Sequence, residues 1–260
     1  MNYGLTMTSF DALSLSYNGG KDCLVLLILY LAVLHTHFTQ PSGRRKGDFP
    51  TSIPSIYAKP PDPFPSVTSF VETSTRQYHV DLTHVSTNPG SKPTPSKAKS
   101  HSSPPTSPEK ERAPQVSANE ETKIITFRDA FAQYLDAHPS VQAIFVGTRR
   151  TDPHGAKLTH FDMTDGAWPR FMRIHPVIDW HLSEIWAFLR APQLAGEEDR
   201  QAGREHLEYC AMYDEGYTSL GGVGDTLRNP KLKVVDDNGK EVYEPAWKCT
   251  EDAEERMGRE

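Results

Sequence analysis

Residues 12–34 constrain the fold more than any other stretch. Ala12–Ser16 (ALSLS) is a short apolar run suited to a buried strand. Tyr17–Asp22 (YNGGKD) is a glycine turn, and Cys23–Leu34 (CLVLLILYLAVL) begins an apolar segment of helical length that extends to Phe38. Strand, glycine turn and helix open a parallel α/β unit. The 12-residue apolar run is shorter than a membrane span requires. It follows a charged loop, and no small-residue cleavage site comes after it, so it reads as a buried core helix rather than a leader.

The alternation continues. Ile53–Ala58 predicts a second strand, and Pro60–Pro65 forces a loop because each proline removes a donor and fixes φ. Ser66–Tyr78 predicts a helix with Val67, Phe70 and Val71 on one face, and His79–Val85 alternates as a third strand. Phe127–His138 predicts a helix with Phe127, Phe131, Tyr134 and Leu135 facing the core, followed by a buried strand at Val141–Val146. Phe171–Pro176 and a helix over Trp180–Leu189 come next, then a polar insertion at Gly196–Arg204. The segment 87–121 is rich in Pro, Ser, Lys and Thr and nearly devoid of large apolar residues, which predicts a disordered insert. The 21 prolines and an apolar content of only 37% fit that reading. The expected architecture is one domain over 1–260, α/β, a parallel sheet with helices on both faces, closed by a tail at 242–260 that carries Arg256 and Arg259.

Composition removes several function classes. A net charge of −6 argues against a general nucleic-acid binder. Cys23, Cys210 and Cys249 are widely spaced and form no CxxC pair, which excludes a disulfide framework or zinc knuckle and fits a reducing cytosol. A cytoplasmic monomer with small-molecule partners, no nucleic acid and no membrane is the expectation.

Two constellations carry chemistry. Ser16-Tyr17-Asn18-Gly19-Gly20-Lys21-Asp22 lies between strand and helix. Glycine there lets backbone approach an anion, and the N–H groups and dipole of the helix start favour phosphate. Lys21 supplies charge, and Asp22 is a carboxylate for Mg²⁺, which prefers oxygen ligands and substrate phosphates. The bland alternative is a plain strand-to-helix turn. The loop is neither a Walker A nor a dinucleotide fingerprint. Downstream, GTRRTDPHG (Gly147–Gly155) follows a strand, where α/β sheets place ligands. The run Met163–Arg173 offers Trp168 as a flat face, Asp165 as a partner for polar ring atoms and Arg173 as a bidentate donor to phosphate. A solvated loop and a core tryptophan are the alternatives.

The SYNGGKD loop resembles the pyrophosphatase loop of the N-type ATP enzymes. Together with GTRRTDP, TD-x-x-WP-x-FMR, HPVIDW, YDEGYTSLGG and ERMGR, it is similar to the eukaryotic FAD synthase family. The resemblance runs from about Ala12 to the C-terminus, outside the inserts. About 11 residues precede the first strand, fewer than the family usually has. The resemblance implies a PAPS-reductase-like sheet of the adenine nucleotide alpha hydrolase type. It implies transfer of AMP from ATP to FMN with Mg²⁺, giving FAD and pyrophosphate as the last step of FAD biosynthesis. It assigns ATP binding to Ser16, Asn18, Gly19, Gly20, Lys21, Asp22, Ile56, Tyr57, Gly147 and Arg149, with Ile56 and Tyr57 beside adenine. It assigns flavin binding to Arg150, Asp152, Asp165, Trp168, Arg173, Arg256 and Arg259. Catalysis falls to Asn18, Asp22, Arg256 and Arg259, and the metal to Asp22. A sulfonucleotide reductase, which should carry a C-terminal Cys-Gly unlike the KCTEDAE context of Cys249, and an inactive nucleotide-binding paralogue remain as alternatives.

Overall fold

Chain order builds a doubly covered sheet around the first strand. The computed structural model describes residues 10–39, 49–87 and 125–259. After a 3₁₀ turn, β1 (Leu13–Ser16) leads into α1 (Lys21–Thr39). β2 (Ile53–Lys59), α2 (Pro65–Gln77) and β3 (Val80–Ser86) follow, then α3 (Phe127–Ala137) and β4 (Ala143–Phe145). β5 (Phe161–Met163), β6 (Met172–Ile174), α4 (Leu182–Leu189) and the short α5 (Glu197–Gln201) complete the central part. The sheet order is β3-β2-β1-β4-β6-β5, parallel except for β5 at the edge. The chain runs outward from β1 to β3 and then returns to the other side of β1 with β4. β1 and β4 therefore flank the switch point, where α/β sheets open a crevice at the strands' carboxyl ends.

Period-2 alternation divides the core. Leu15 and Tyr17 face α1, α2 and α4, packing with Leu24, Leu27, Val71 and Trp186. Ile56 and Ile144 face the opposite side, against Phe131 and Tyr134 of α3. Ser14 also points that way, and its hydroxyl is hydrogen-bonded to the Tyr134 hydroxyl at 2.7 Å. α1 has the length and composition of a membrane span, but Cys23–Leu27, Tyr30 and Leu34 are buried against this fold.

Several boundaries differ from those the sequence suggests. Thr87, placed by composition at the start of the insert, is buried, and its N–H and hydroxyl both donate to the Lys59 carbonyl at the end of the β2–β3 pairing. The rest of that insert, 88–121, lies outside the described residues. Phe127 is 56% exposed rather than in the core. It sits on the first turn of α3, fixed by a Thr126–Asp129 capping box, and lines two of the cavities described below. The polar insertion folds as α5 around Asp199, which is 2% exposed and accepts from the N–H groups of Gly196 and Glu208 and from Arg204 Nε. β5 and a hairpin of β7 (Lys233–Val235) and β8 (Glu241–Tyr243) were not read from the sequence. The hairpin had a signal in Asn238-Gly239, where Gly239 takes φ +77°.

Candidate active site

The loops after β1 and β4 touch at the switch point. A Cβ on Gly147 would stand 3.1 Å from Cys23 N and 3.2 Å from Asp22 Cβ, a tight contact that would push the two loops apart by a few tenths of an ångström. Gly19 turns the first loop with φ +75°, and any side chain there would meet Val71 Cγ2 at 2.8 Å. The loop's own donors are partly engaged. The Gly20 N–H donates to Asn18 Oδ1 at 2.9 Å, and the Lys21 N–H donates to the Tyr213 hydroxyl at 2.9 Å. Cys23 Sγ donates to Asn18 Oδ1 at 3.0 Å, and burial pushes its thiol up to about 12, so it is no nucleophile.

A charged network joins both loops to the C-terminal tail. Arg149 is wholly buried. Its Nε donates to Asp22 at 2.8 Å, its Nη1 to Asp252 at 3.1 Å and its Nη2 to Glu255. Lys21, 2% exposed, donates to Asp22 at 3.0 Å and to Glu255. Asp252 in turn accepts from the Leu182 N–H at 2.7 Å and bonds His181 Nδ1 at 2.6 Å, tying in the start of α4. Burial pushes the Lys21 amine down, but Asp22 and Glu255 outweigh it, so the net shift is upward and Lys21 stays charged. Burial likewise pushes Asp22 up, and Lys21 and Arg149 more than reverse it, holding the carboxyl below its usual range. Asp152 goes the other way. Burial raises it, its bond from the Arg149 N–H at 2.8 Å opposes that, and the neighbouring Asp22 carboxylate adds to the rise.

Three cavities meet at Asn18, which lines all of them. The phosphate lobe, about 380 Å³, is walled by Ser16, Gly20, Lys21, Asp22, Gly147, Asp152, Tyr213 and Arg256. An aromatic lobe of about 290 Å³ lies over Ile56, Phe127, Phe131, Trp168 and Phe171, with Arg173 and His175 on its wall. Phe131 and Phe171 stack at 5.5 Å with an interplanar angle of 6°, and Trp168 meets Phe131 edge-on at 5.9 Å. The third lobe, about 280 Å³, lies between Tyr57 and the Gly221–Arg259 region, beside Asp62 and Asp225.

The structure therefore brings Ser16, Asn18, Gly20, Lys21, Asp22, Gly147, Asp152 and Arg256 to one lobe and Ile56, Trp168 and Arg173 to another. Tyr57 and Arg259 face the third. Ile56 and Tyr57 were expected together beside adenine, but adjacent strand residues point to opposite faces, so their side chains serve different lobes. Arg256 and Arg259 were expected as a pair. Arg259 is instead held by Thr226 at 2.9 Å and Asp225 at 3.3 Å, one lobe away from Arg256. Four nominated residues line none of these three cavities. Gly19 serves the turn. Arg149 is held by three carboxylates, Asp22, Asp252 and Glu255. Arg150 pairs with Asp179 and bonds the Ala156 and Leu158 carbonyls. Asp165 stays in an exposed turn whose carbonyl accepts from the Trp168 N–H.

Sequence reasoning missed Asp252, Glu255, Tyr213 and His175. The two acids lay in the tail at 242–260, which was read for Arg256 and Arg259. Tyr213 sits inside the quoted YDEGYTSLGG motif, and His175 opens HPVIDW. His175 is fully buried; its Nδ1 bonds the Thr159 carbonyl at 2.9 Å, and its Nε2, like Arg173 Nε, has no hydrogen-bond partner among the described residues.

A mostly parallel sheet with a glycine loop at its switch point places the chain among the α/β proteins that hold ligands at the strands' carboxyl ends. Residues 12–228 match the phosphoadenosine phosphosulfate reductase domain. The chain is 32% identical over 249 residues to a probable FAD synthase of Schizosaccharomyces pombe, covering 96% of this chain and 72% of that one. It is 31% identical over 232 residues to the flavin adenine dinucleotide synthase of Saccharomyces cerevisiae, covering 87% and 61%. The crystal structure of Candida glabrata FMN adenylyltransferase with FAD and inorganic pyrophosphate superposes with a TM-score of 0.70 at 26% identity, over 96% of this chain and 81% of that one. Yeast FAD synthetase with FAD gives a TM-score of 0.68 at 26% identity, over 99% and 84%. The chain belongs to the FAD synthase family, within the phosphoadenosine phosphosulfate reductase domain fold.

Proposed function

We propose that the chain transfers the adenylyl group of ATP to the phosphate of FMN, forming FAD and releasing pyrophosphate. The observation that carries this reading is the meeting of a phosphate lobe and an aromatic lobe at Asn18. One lobe is built for polyanions, and the other suits a large flat ring. An oxygen of the FMN phosphate attacks the α-phosphorus, and the bond from that phosphorus to the bridging oxygen of the β-phosphate breaks. FMN phosphate is largely ionised near neutral pH, so no general base is required. The enzyme's work is alignment and charge stabilisation. Asn18, at the junction, orients the reacting phosphates, and Lys21 and Arg256 offset charge on the α-phosphate and the departing pyrophosphate.

Mg²⁺ fits this site in a restricted way. Among the described residues no group of three or more metal-ligating side chains is assembled. Two carboxylates, Asp22 and Asp152, do line the phosphate lobe, and Mg²⁺ is usually held by one or two carboxylates plus substrate phosphates. Lys21, Arg149 and Arg256 face Asp22, Asp152, Asp252 and Glu255, so the protein alone offers no cationic excess to a triphosphate. A bound Mg²⁺ supplies the missing positive charge on the phosphates.

Cys249 is buried, and burial raises its thiol, which counts against thiol-based reductase chemistry. The three buried, unpaired cysteines support a cytoplasmic setting. The test uses ATP labelled at the α-phosphate, with FMN and Mg²⁺. Label entering FAD, with one pyrophosphate released per FAD, is the expected result. Bound FMN with no labelled FAD overturns the reading.

A further inference from the structure

Tyr213 carries a hydroxyl that the fold has aimed but not finished using. The residue is 1% exposed and lines the phosphate lobe. Its ring is clamped edge-on by Trp186 at 5.2 Å and 82°, so its hydroxyl is placed by packing rather than by chance. The oxygen accepts the Lys21 N–H, the first donor of α1, at 2.9 Å. A phenol has one proton to donate besides the lone pairs it accepts with. No described residue accepts that proton, and the neighbouring Tyr209 shows the contrast: its hydroxyl takes a bond from Arg190 and gives one to Asp214. Burial raises the Tyr213 phenol well above its usual range, so the proton is present at any working pH. A buried donor left unmade is costly unless a ligand completes it.

We propose that Tyr213 donates its hydroxyl hydrogen to an anionic oxygen of the nucleotide's triphosphate, replacing the Lys21 N–H that it consumes. The helix start then reaches the phosphate through one intervening hydroxyl: Lys21 N–H to Tyr213 oxygen, Tyr213 hydrogen to phosphate oxygen. The dipole of α1 polarises the phenol and strengthens its donor end. Gly20 leaves the space beside the Tyr213 oxygen unfilled: a Cβ there would stand 2.9 Å from Asn18 Oδ1 and in ordinary contact with the phenol at 3.7 Å. The assignment of the ligand as a nucleotide triphosphate rests on the synthase reading above; the donor itself rests only on the phosphate lobe.

The test compares Tyr213→Phe with wild type and with Tyr209→Phe, in the full chain. Near-UV circular dichroism and FMN binding report packing. Steady-state kinetics with ATP and calorimetric binding of Mg²⁺-pyrophosphate report the donor. Tyr213→Phe is expected to keep its near-UV spectrum and its FMN affinity within twofold, while kcat/KM for ATP and pyrophosphate affinity both fall about 10- to 100-fold, as for one lost hydrogen bond to a charged group. Tyr209→Phe should leave both anion readouts unchanged. Wild-type pyrophosphate affinity in Tyr213→Phe overturns the proposal, and so does a parallel loss of FMN binding and near-UV signal, which would assign the hydroxyl to packing. A wild-type chain that makes no FAD would count against the synthase reading alone, because the pyrophosphate measurement does not depend on turnover.

Discussion

The phosphate lobe and the aromatic lobe share Asn18 in their walls and are prepared in opposite ways. In the first, Lys21, Arg149, Asp22, Asp252 and Glu255 form ion pairs that are complete without any ligand. In the second, Trp168 is 41% exposed, Phe127 is 56% exposed, and Arg173 Nε and His175 Nε2 lack partners among the described residues. Buried charges must be paired at all times, because an unpaired charge in a low-dielectric site costs several kcal/mol. An aromatic wall bears exposure at far smaller cost. The difference teaches that damage to the first lobe should appear in stability and turnover together, and damage to the second mainly in flavin affinity.

The largest expected effect comes from breaking the network. Arg149→Met leaves Asp22, Asp252 and Glu255 without their shared cation and should lower unfolding free energy by about 3–5 kcal/mol, as for other buried pairs that lose one partner. Urea denaturation measures it. A loss under 1 kcal/mol would show that the network is not the preformed element described here. Next, Asp22→Asn keeps the shape but removes the carboxylate between Lys21 and Arg149; FAD formation should fall at least about 100-fold while FMN still binds. Equal losses of FMN binding and turnover would erase the division between lobes.

Trp168→Ala sharpens the other side. It should cost less than about 1 kcal/mol of stability, since the ring is partly solvated, and weaken FMN binding about 10-fold through lost stacking area. Unchanged FMN affinity would remove the aromatic lobe from flavin recognition. The smallest effect concerns pH. For Asp22 and Asp252, burial pushes the carboxyls up, but Lys21 and Arg149 for one, and His181 and the Leu182 N–H for the other, bring both below the unfolded value. Their stabilisation is therefore full at neutral pH and is lost as pH falls through the unfolded value of about 4 and on through the lower folded values. Asp152 is raised instead, so its ionised form costs stability at neutral pH. Asp152→Asn should gain about 0.5–1 kcal/mol at pH 7 and lose that gain by pH 4, while slowing FAD formation. A variant that is less stable at pH 7 contradicts the assigned environment.

Local chemistry made much of this legible in sequence. The β1–loop–α1 unit was readable because its apolar runs and its Gly19-Gly20 turn lie within one contiguous stretch. Trp168 was readable as a loop ring off any helical face because it precedes a proline, and it lines the aromatic lobe. The network was not. Arg149 reads as a loop arginine free for phosphate until the fold brings Asp252 and Glu255, over 100 positions away, against its guanidinium. The resemblance puts Ile56 and Tyr57 together beside adenine, while strand alternation sends their side chains to opposite faces. Tyr213 and His175 sat inside recognised motifs, but an unmade hydrogen bond has no signature in sequence.

The central claim is that one lobe performs the transfer and the other holds the flavin. Single-turnover mixing of the FMN-bound chain with Mg²⁺-ATP tests it most directly, following flavin quenching and pyrophosphate release together in wild type, Asp22→Asn and Trp168→Ala. The account predicts equal amounts of FAD and pyrophosphate in wild type, a slow transfer from fully bound FMN in Asp22→Asn, and a near-normal transfer rate at saturating FMN in Trp168→Ala. Transfer rates that fall alike in both variants at saturating FMN would contradict it.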